Sequence, residues 1–153
     1  MKQQPTSESD IPKIVTVLSV SPLAEDYVSL RAVFNRSKWN LHRSQTLASA
    51  LPTIRKCEIG VVICERDLSP GTWIDMLEAL NLLRVAPPLI VTSRLADDRL
   101  WVEALNLGAY DVLAKPFERD EVVRSVSLAW SHWRDQQEVP AEAMTMNAAR
   151  TAS

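Results

Sequence analysis

The chain has 153 residues, 46% of them apolar, and a formal net charge of −2 from 17 basic and 19 acidic side chains. That length and apolar content suit one ordinary domain with one core, and the near balance of charge excludes a global field that would draw the protein onto nucleic acid or an anionic membrane. Two cysteines, Cys57 and Cys64, exclude a disulfide framework and point to a reducing compartment, and no run approaches the roughly 18 apolar residues of a membrane span.

Residues 1–12 are polar and carry Pro5 and Pro12, so a flexible N-terminal segment is expected there. A β-rich run, Ile14–Val20, follows, and Pro22 opens a helical pattern to Asn35 in which Leu23, Val28, Leu30, Val33 and Phe34 recur on one side. The second strand, Trp39–Arg43, is more polar and suits a sheet edge; a helix over Gln45–Lys56 comes next. Ile59–Cys64 and Leu89–Thr92 are near-continuous apolar runs, the pattern of central strands covered on both faces. Helices over Gly71–Leu83 and Ala96–Leu107 follow them, with Gly108 placed to close the latter in a left-handed cap. A last strand, Asp111–Ala114, leads into a helix over Glu118–Arg134 whose apolar stripe is Val122, Val126, Ala129 and Trp133. Residues 136–153 lack such a stripe and read as a flexible tail, which leaves a domain over 13–135.

Strands alternating with helices give an α/β protein with a parallel sheet. Five β/α units with right-handed crossovers fit a doubly wound, five-stranded sheet in the order 2-1-3-4-5. Ligands of such sheets bind outside the carboxyl ends of the strands, so the functional residues are sought there.

The most specific stretch is Gly108-Ala-Tyr-Asp-Val-Leu-Ala-Lys-Pro-Phe117. It resembles the last strand and following loop of response-regulator receiver domains, which are flavodoxin-like, and the resemblance extends over roughly 13–133. In that family the lysine reaches a phosphoryl group and its bond to proline is typically cis; by resemblance these positions are Lys115 and Pro116. The switch hydroxyl falls on Ser93, with the neighbouring Thr92 as the alternative. Ser93 is equally suited to capping the helix that follows.

Three positions depart from the family pattern. The phosphorylated aspartate at the end of the third strand is replaced by Glu65, in Val61-Val-Ile-Cys-Glu-Arg-Asp-Leu-Ser-Pro-Gly71. The extra methylene moves the nucleophilic oxygen by roughly 1 Å, enough to spoil an in-line transfer, and a salt bridge from Glu65 to Lys115 is the simplest outcome. The acidic pair that would help hold magnesium is replaced by Ser19 and Val20, which offer no carboxylate. The aromatic switch residue three positions before the lysine is Val112, whose branched side chain has no comparable swing.

The expected protein is therefore an atypical, stand-alone receiver domain of two-component type. It is not an enzyme, needs no metal or cofactor, is cytoplasmic, and acts on a protein partner: a histidine kinase, another signalling protein or a second copy of itself. Nucleic acid and membrane are not expected partners, since Arg94, Arg99 and Arg119 are interspersed with acids and no basic groove or tail follows. Trp101, Val112 and Trp130 are the expected interaction face, because the family often uses the surface of the fourth helix, fifth strand and fifth helix. Two alternatives stand beside this: a phosphorylatable regulator using Glu65 or Asp67, and a binder of a small phosphate-containing ligand at Ser19 and Ser21, ahead of a helix N-terminus.

Overall fold

The computed structural model describes residues 14–137. The expected flexible segments fall almost wholly outside the described residues. Five strands, β1 (Thr16–Val20), β2 (Asn40–Ser44), β3 (Val61–Glu65), β4 (Leu89–Ser93) and β5 (Asp111–Ala114), form one sheet in the order β2-β1-β3-β4-β5. Every neighbouring pair is parallel. Five helices alternate with them: α1 (Ala24–Ser37), α2 (Leu47–Lys56), α3 (Trp73–Leu80), α4 (Asp98–Leu107) and α5 (Arg119–Gln137).

The period-2 alternation of the strands sorts the core into two layers. Val17, Val61, Ile63, Ile90 and Leu113 face α1 and α5, where they meet Leu30, Phe34, Val122, Val126 and Trp130. Leu18, Val20, Val62, Cys64, Leu89, Val91 and Val112 face the other way, against Ala50 and Ile54 of α2, Trp73 and Met76 of α3 and Leu100 of α4. Each fully buried aliphatic side chain is worth about 1.5–3 kcal/mol. Two apolar layers on one sheet are thus what holds the strand ends in register.

Local chemistry sets the helix limits. Thr46 and Thr72 form capping boxes with Ser49 and Asp75, and the Asp97 carboxylate accepts from the Leu100 N–H at 3.0 Å. Gly108 ends α4 at φ 108°, as its position after the apolar stripe predicts. Several expectations are corrected here. Ser93 does not cap α4: its Oγ accepts from the Leu95 N–H at 3.0 Å, while Asp97 supplies the cap. Pro22 and Gly71 precede their helices, α3 stops at Leu80, and α5 runs three residues past Arg134. Leu23 and Val28 are exposed, so only Leu30, Val33 and Phe34 of the expected stripe enter the core.

At the amino-terminal end of β3, Gly60 lies under the indoles of Trp130 and Trp133. A Cβ there would stand 2.7 Å from Trp130 Cδ1 and 3.0 Å from Trp133 Cε3. The absence of a side chain is what lets α5 settle onto the sheet.

Candidate functional site

The carboxyl ends of β3, β4 and β5 and the amino end of α1 converge around a single ammonium group. Glu65 is the last residue of β3, Ser93 the last of β4, and Lys115 follows β5 directly; the Lys115 N–H donates to the Ser93 carbonyl at 3.0 Å, tying the two ends together. The Lys115–Pro116 bond is cis, as the resemblance implies, and so is Ser69–Pro70. From this platform the Lys115 side chain, only 8% exposed, donates to Glu65 Oε1 and, at 2.6 Å, to Asp26 Oδ2. The Glu65–Lys115 ion pair is the one expected from the sequence.

Both carboxylates are buried and each has a second donor. Glu65 Oε2 accepts from the Asp67 N–H at 2.6 Å, and Asp26 Oδ2 accepts from Ser21 Oγ at 2.7 Å. The Ser21 hydroxyl in turn accepts from the Leu23 N–H at 3.0 Å, and the Ser21 N–H donates to the Ser44 carbonyl at 3.0 Å. Burial pulls the Lys115 pKa down, but hydrogen bonds to Asp26 and Glu65 and the charges of both outweigh it, so the ammonium is held above its ordinary range. Beneath, burial first and the Glu65 charge second push the Cys64 thiol up to about 12, which keeps it protonated and inert.

The other expected positions divide. Ser93 lines the cleft with Glu65 and Lys115, whereas Thr92 sits within the sheet opposite Glu65 and Leu113 and lines no part of it. Asp67 presents an exposed carboxylate, 3.9 Å from Arg66, and contributes only its backbone to Glu65. Val20 is fully buried against the α2–α4 layer, and Ser19 is buried beside it. A magnesium ion of the kind the family resemblance implies does not fit these residues. Val20 has no donor atom, Glu65 Oε1 and Asp26 Oδ2 are committed to Lys115 and Glu65 Oε2 to the Asp67 N–H, and among the described residues no three His, Cys, Asp or Glu side chains are grouped to hold a metal.

Outside the ion cluster, Glu25 Oε1 of α1 accepts from Arg94 Nη2 at 3.2 Å across the mouth. Two clefts of about 330 and 340 Å³ flank that bridge, and Lys115 lines both. Asp26, its bond from Ser21 and the Glu25–Arg94 bridge were not expected from the sequence, which offered Ser21 only as part of a phosphate-ligand loop. The available signal was a second acid in the first turn of α1, facing inward at the spacing of the buried Leu30 and Val33.

The expected interaction face is half corrected. Trp101 is 40% exposed and borders a groove between α4 and α5 with Val112, Glu121, Arg124 and Leu128. Val112 itself is buried under α4. Trp130 is only 8% exposed and belongs to the opposite layer, against Gly60, because the helix turns that edge inward; it cannot share a surface with Trp101.

The family model of the response regulator receiver domain matches residues 25–127. Among curated proteins, the transcriptional regulatory protein ZraR of Salmonella typhimurium is 25% identical over 121 residues, covering 79% of this chain and 27% of ZraR. The transcriptional regulatory protein FixJ of Rhizobium meliloti is 27% identical over 93 residues, covering 60% of this chain and 44% of FixJ. The chain thus spans less than half the length of either relative. Among solved structures, a putative response regulator from Chloroflexus aurantiacus superposes with a TM-score of 0.72 at 23% identity, over 78% of this chain and 99% of that one. The signal receiver domain of an HD domain-containing protein from Pseudomonas fluorescens gives 0.75 at 20% identity, over 85% and 96%. At these identities the structures speak for the fold alone.

Proposed function

Because this chain belongs to the response regulator receiver domain family, we propose that it is a two-component signalling module whose acceptor pocket is filled from within, takes no phosphoryl group, catalyses no reaction and acts by contact with a protein partner. The observation that carries this is the Glu65–Lys115–Asp26 cluster. The lysine that would meet an incoming phosphoryl oxygen already gives two of its three ammonium protons to buried carboxylates. Those three charges sum to −1, which opposes the approach of an anionic donor, and Ser19 and Val20 offer no carboxylate to hold a cation that would offset it.

The alternatives fare less well on the same geometry. Glu65 has both oxygens engaged, and Asp67 carries an exposed carboxylate at the rim of the same cleft with no bond to Lys115, which counts against either as an acceptor. A phosphate-containing ligand at the start of α1 would meet Glu25 and Asp26, with Ser21 already hydrogen-bonded to Asp26 and Leu23. The partner surface that suits this reading is the groove beside Trp101, used by a kinase, another signalling protein or a second copy. No helix among the described residues is long and apolar enough to cross a membrane, in keeping with a cytoplasmic setting.

Incubation of the full chain with acetyl phosphate and magnesium, followed by intact-mass measurement without acid, tests the proposal. An unchanged mass is expected. A stoichiometric gain of one phosphoryl group, lost on substitution of Glu65 or Asp67, would replace it with a phosphorylatable regulator.

A further inference from the structure

Asp26 differs from Glu65 in origin. Glu65 arrives on β3, the central strand, whereas Asp26 is delivered by the first turn of α1, 89 residues from Lys115 in sequence. Its carboxylate is as buried as that of Glu65, with 6% of the side chain exposed against 5%. It is also held by a chain of hydrogen bonds that starts outside the ion cluster. The Ser44 carbonyl at the end of β2 fixes Ser21, the Leu23 N–H occupies a lone pair of Ser21 Oγ, and the remaining hydroxyl proton points at Asp26 Oδ2. That same oxygen receives Lys115 Nζ. A buried carboxylate so held is costly to leave without its counter-charge.

We propose that Asp26 is a positioning residue that forms a second lock on Lys115, independent of Glu65, so that removing or shortening Glu65 alone leaves the ammonium captive on α1. This rests on the reading that the pocket is filled from within and adds that two elements fill it separately. Ser21 is the residue that aims the lock. Helix α1 is thereby pinned to the loop after β5 from inside, while its neighbour Glu25 meets Arg94 from outside.

The test is the rate at which the Lys115 amine of the full chain is acetylated by trace acetic anhydride at pH 9, resolved by peptide mass spectrometry, with Lys38 and Lys56 as internal references. Loss of one carboxylate partner lowers the lysine pKa by about one unit and so raises the free-amine fraction roughly tenfold. Asp26→Asn is expected to raise the Lys115 rate roughly tenfold, Glu65→Gln by a similar factor, and the double variant well beyond either. Ser21→Ala keeps every charge and the fold's apolar packing, and is expected to give a smaller rise; it serves as the decisive variant if Asp26→Asn fails to give the wild-type melting curve. A Lys115 rate unchanged in both Asp26→Asn and Ser21→Ala, with a rise in Glu65→Gln, would overturn the second lock while leaving an unphosphorylated pocket intact. A phosphoryl gain in the wild-type chain, with Asp26→Asn still accelerating acetylation, would instead overturn the proposed function and keep the lock.

Discussion

The two ends of the sheet are built by opposite means. At the carboxyl ends of the strands, a lysine and two carboxylates are taken out of water and satisfied by one another, by Ser21 and by one backbone N–H. At the amino end of β3, contact is apolar and steric: Gly60 beneath Trp130 and Trp133, with the Arg134 guanidinium 5.1 Å from the Trp130 ring centroid. The first end fails when a partner is removed, the second when an atom is added. A buried ion cluster confers specificity of contact more than net stability, which suits a site that must stay occupied; a close-packed floor confers rigidity.

The largest effect expected from breaking this contrast is at Lys115. Lys115→Ala leaves two buried carboxylates without a counter-charge and costs on the order of 3–5 kcal/mol, measurable by urea unfolding. At the other end, Gly60→Ala forces the Trp130 and Trp133 indoles apart and costs about 1–3 kcal/mol, as overpacking does; an unchanged urea midpoint would mean that the floor is not tightly packed. The smallest effect is on pH dependence. Because the folded-state pKa of Lys115 lies above its ordinary 10.5, the stability from its charge is complete below that value and is lost as pH rises through the raised one. The wild type should therefore lose stability faster than Lys115→Ala above about pH 10.5, and parallel profiles would show that the ion cluster contributes nothing there.

The contrast also explains what the sequence discloses. The β/α alternation, the apolar central strands and the polar edge lead directly to the observed strand order, since burial on both faces writes itself into consecutive residues. Glu65, Ser93 and Lys115 are legible because each sits at a strand end, a place fixed by local pattern. Asp26 is not, because an acid in the first turn of a helix is ordinary; only the folded chain shows that it turns inward to a lysine 89 residues away. Trp130 misleads for a related reason. Its partner is a glycine, Gly60, and a missing side chain leaves no apolar signal to mark the contact.

The claim that the pocket is filled from within is tested most directly by titrating Lys115 itself, through the ε-carbon resonance of 13C-labelled lysine in the full chain. The account predicts a midpoint above the ordinary 10.5, set by the two carboxylates. A midpoint at or below that value would mean that Glu65 and Asp26 do not hold the ammonium, and would contradict it.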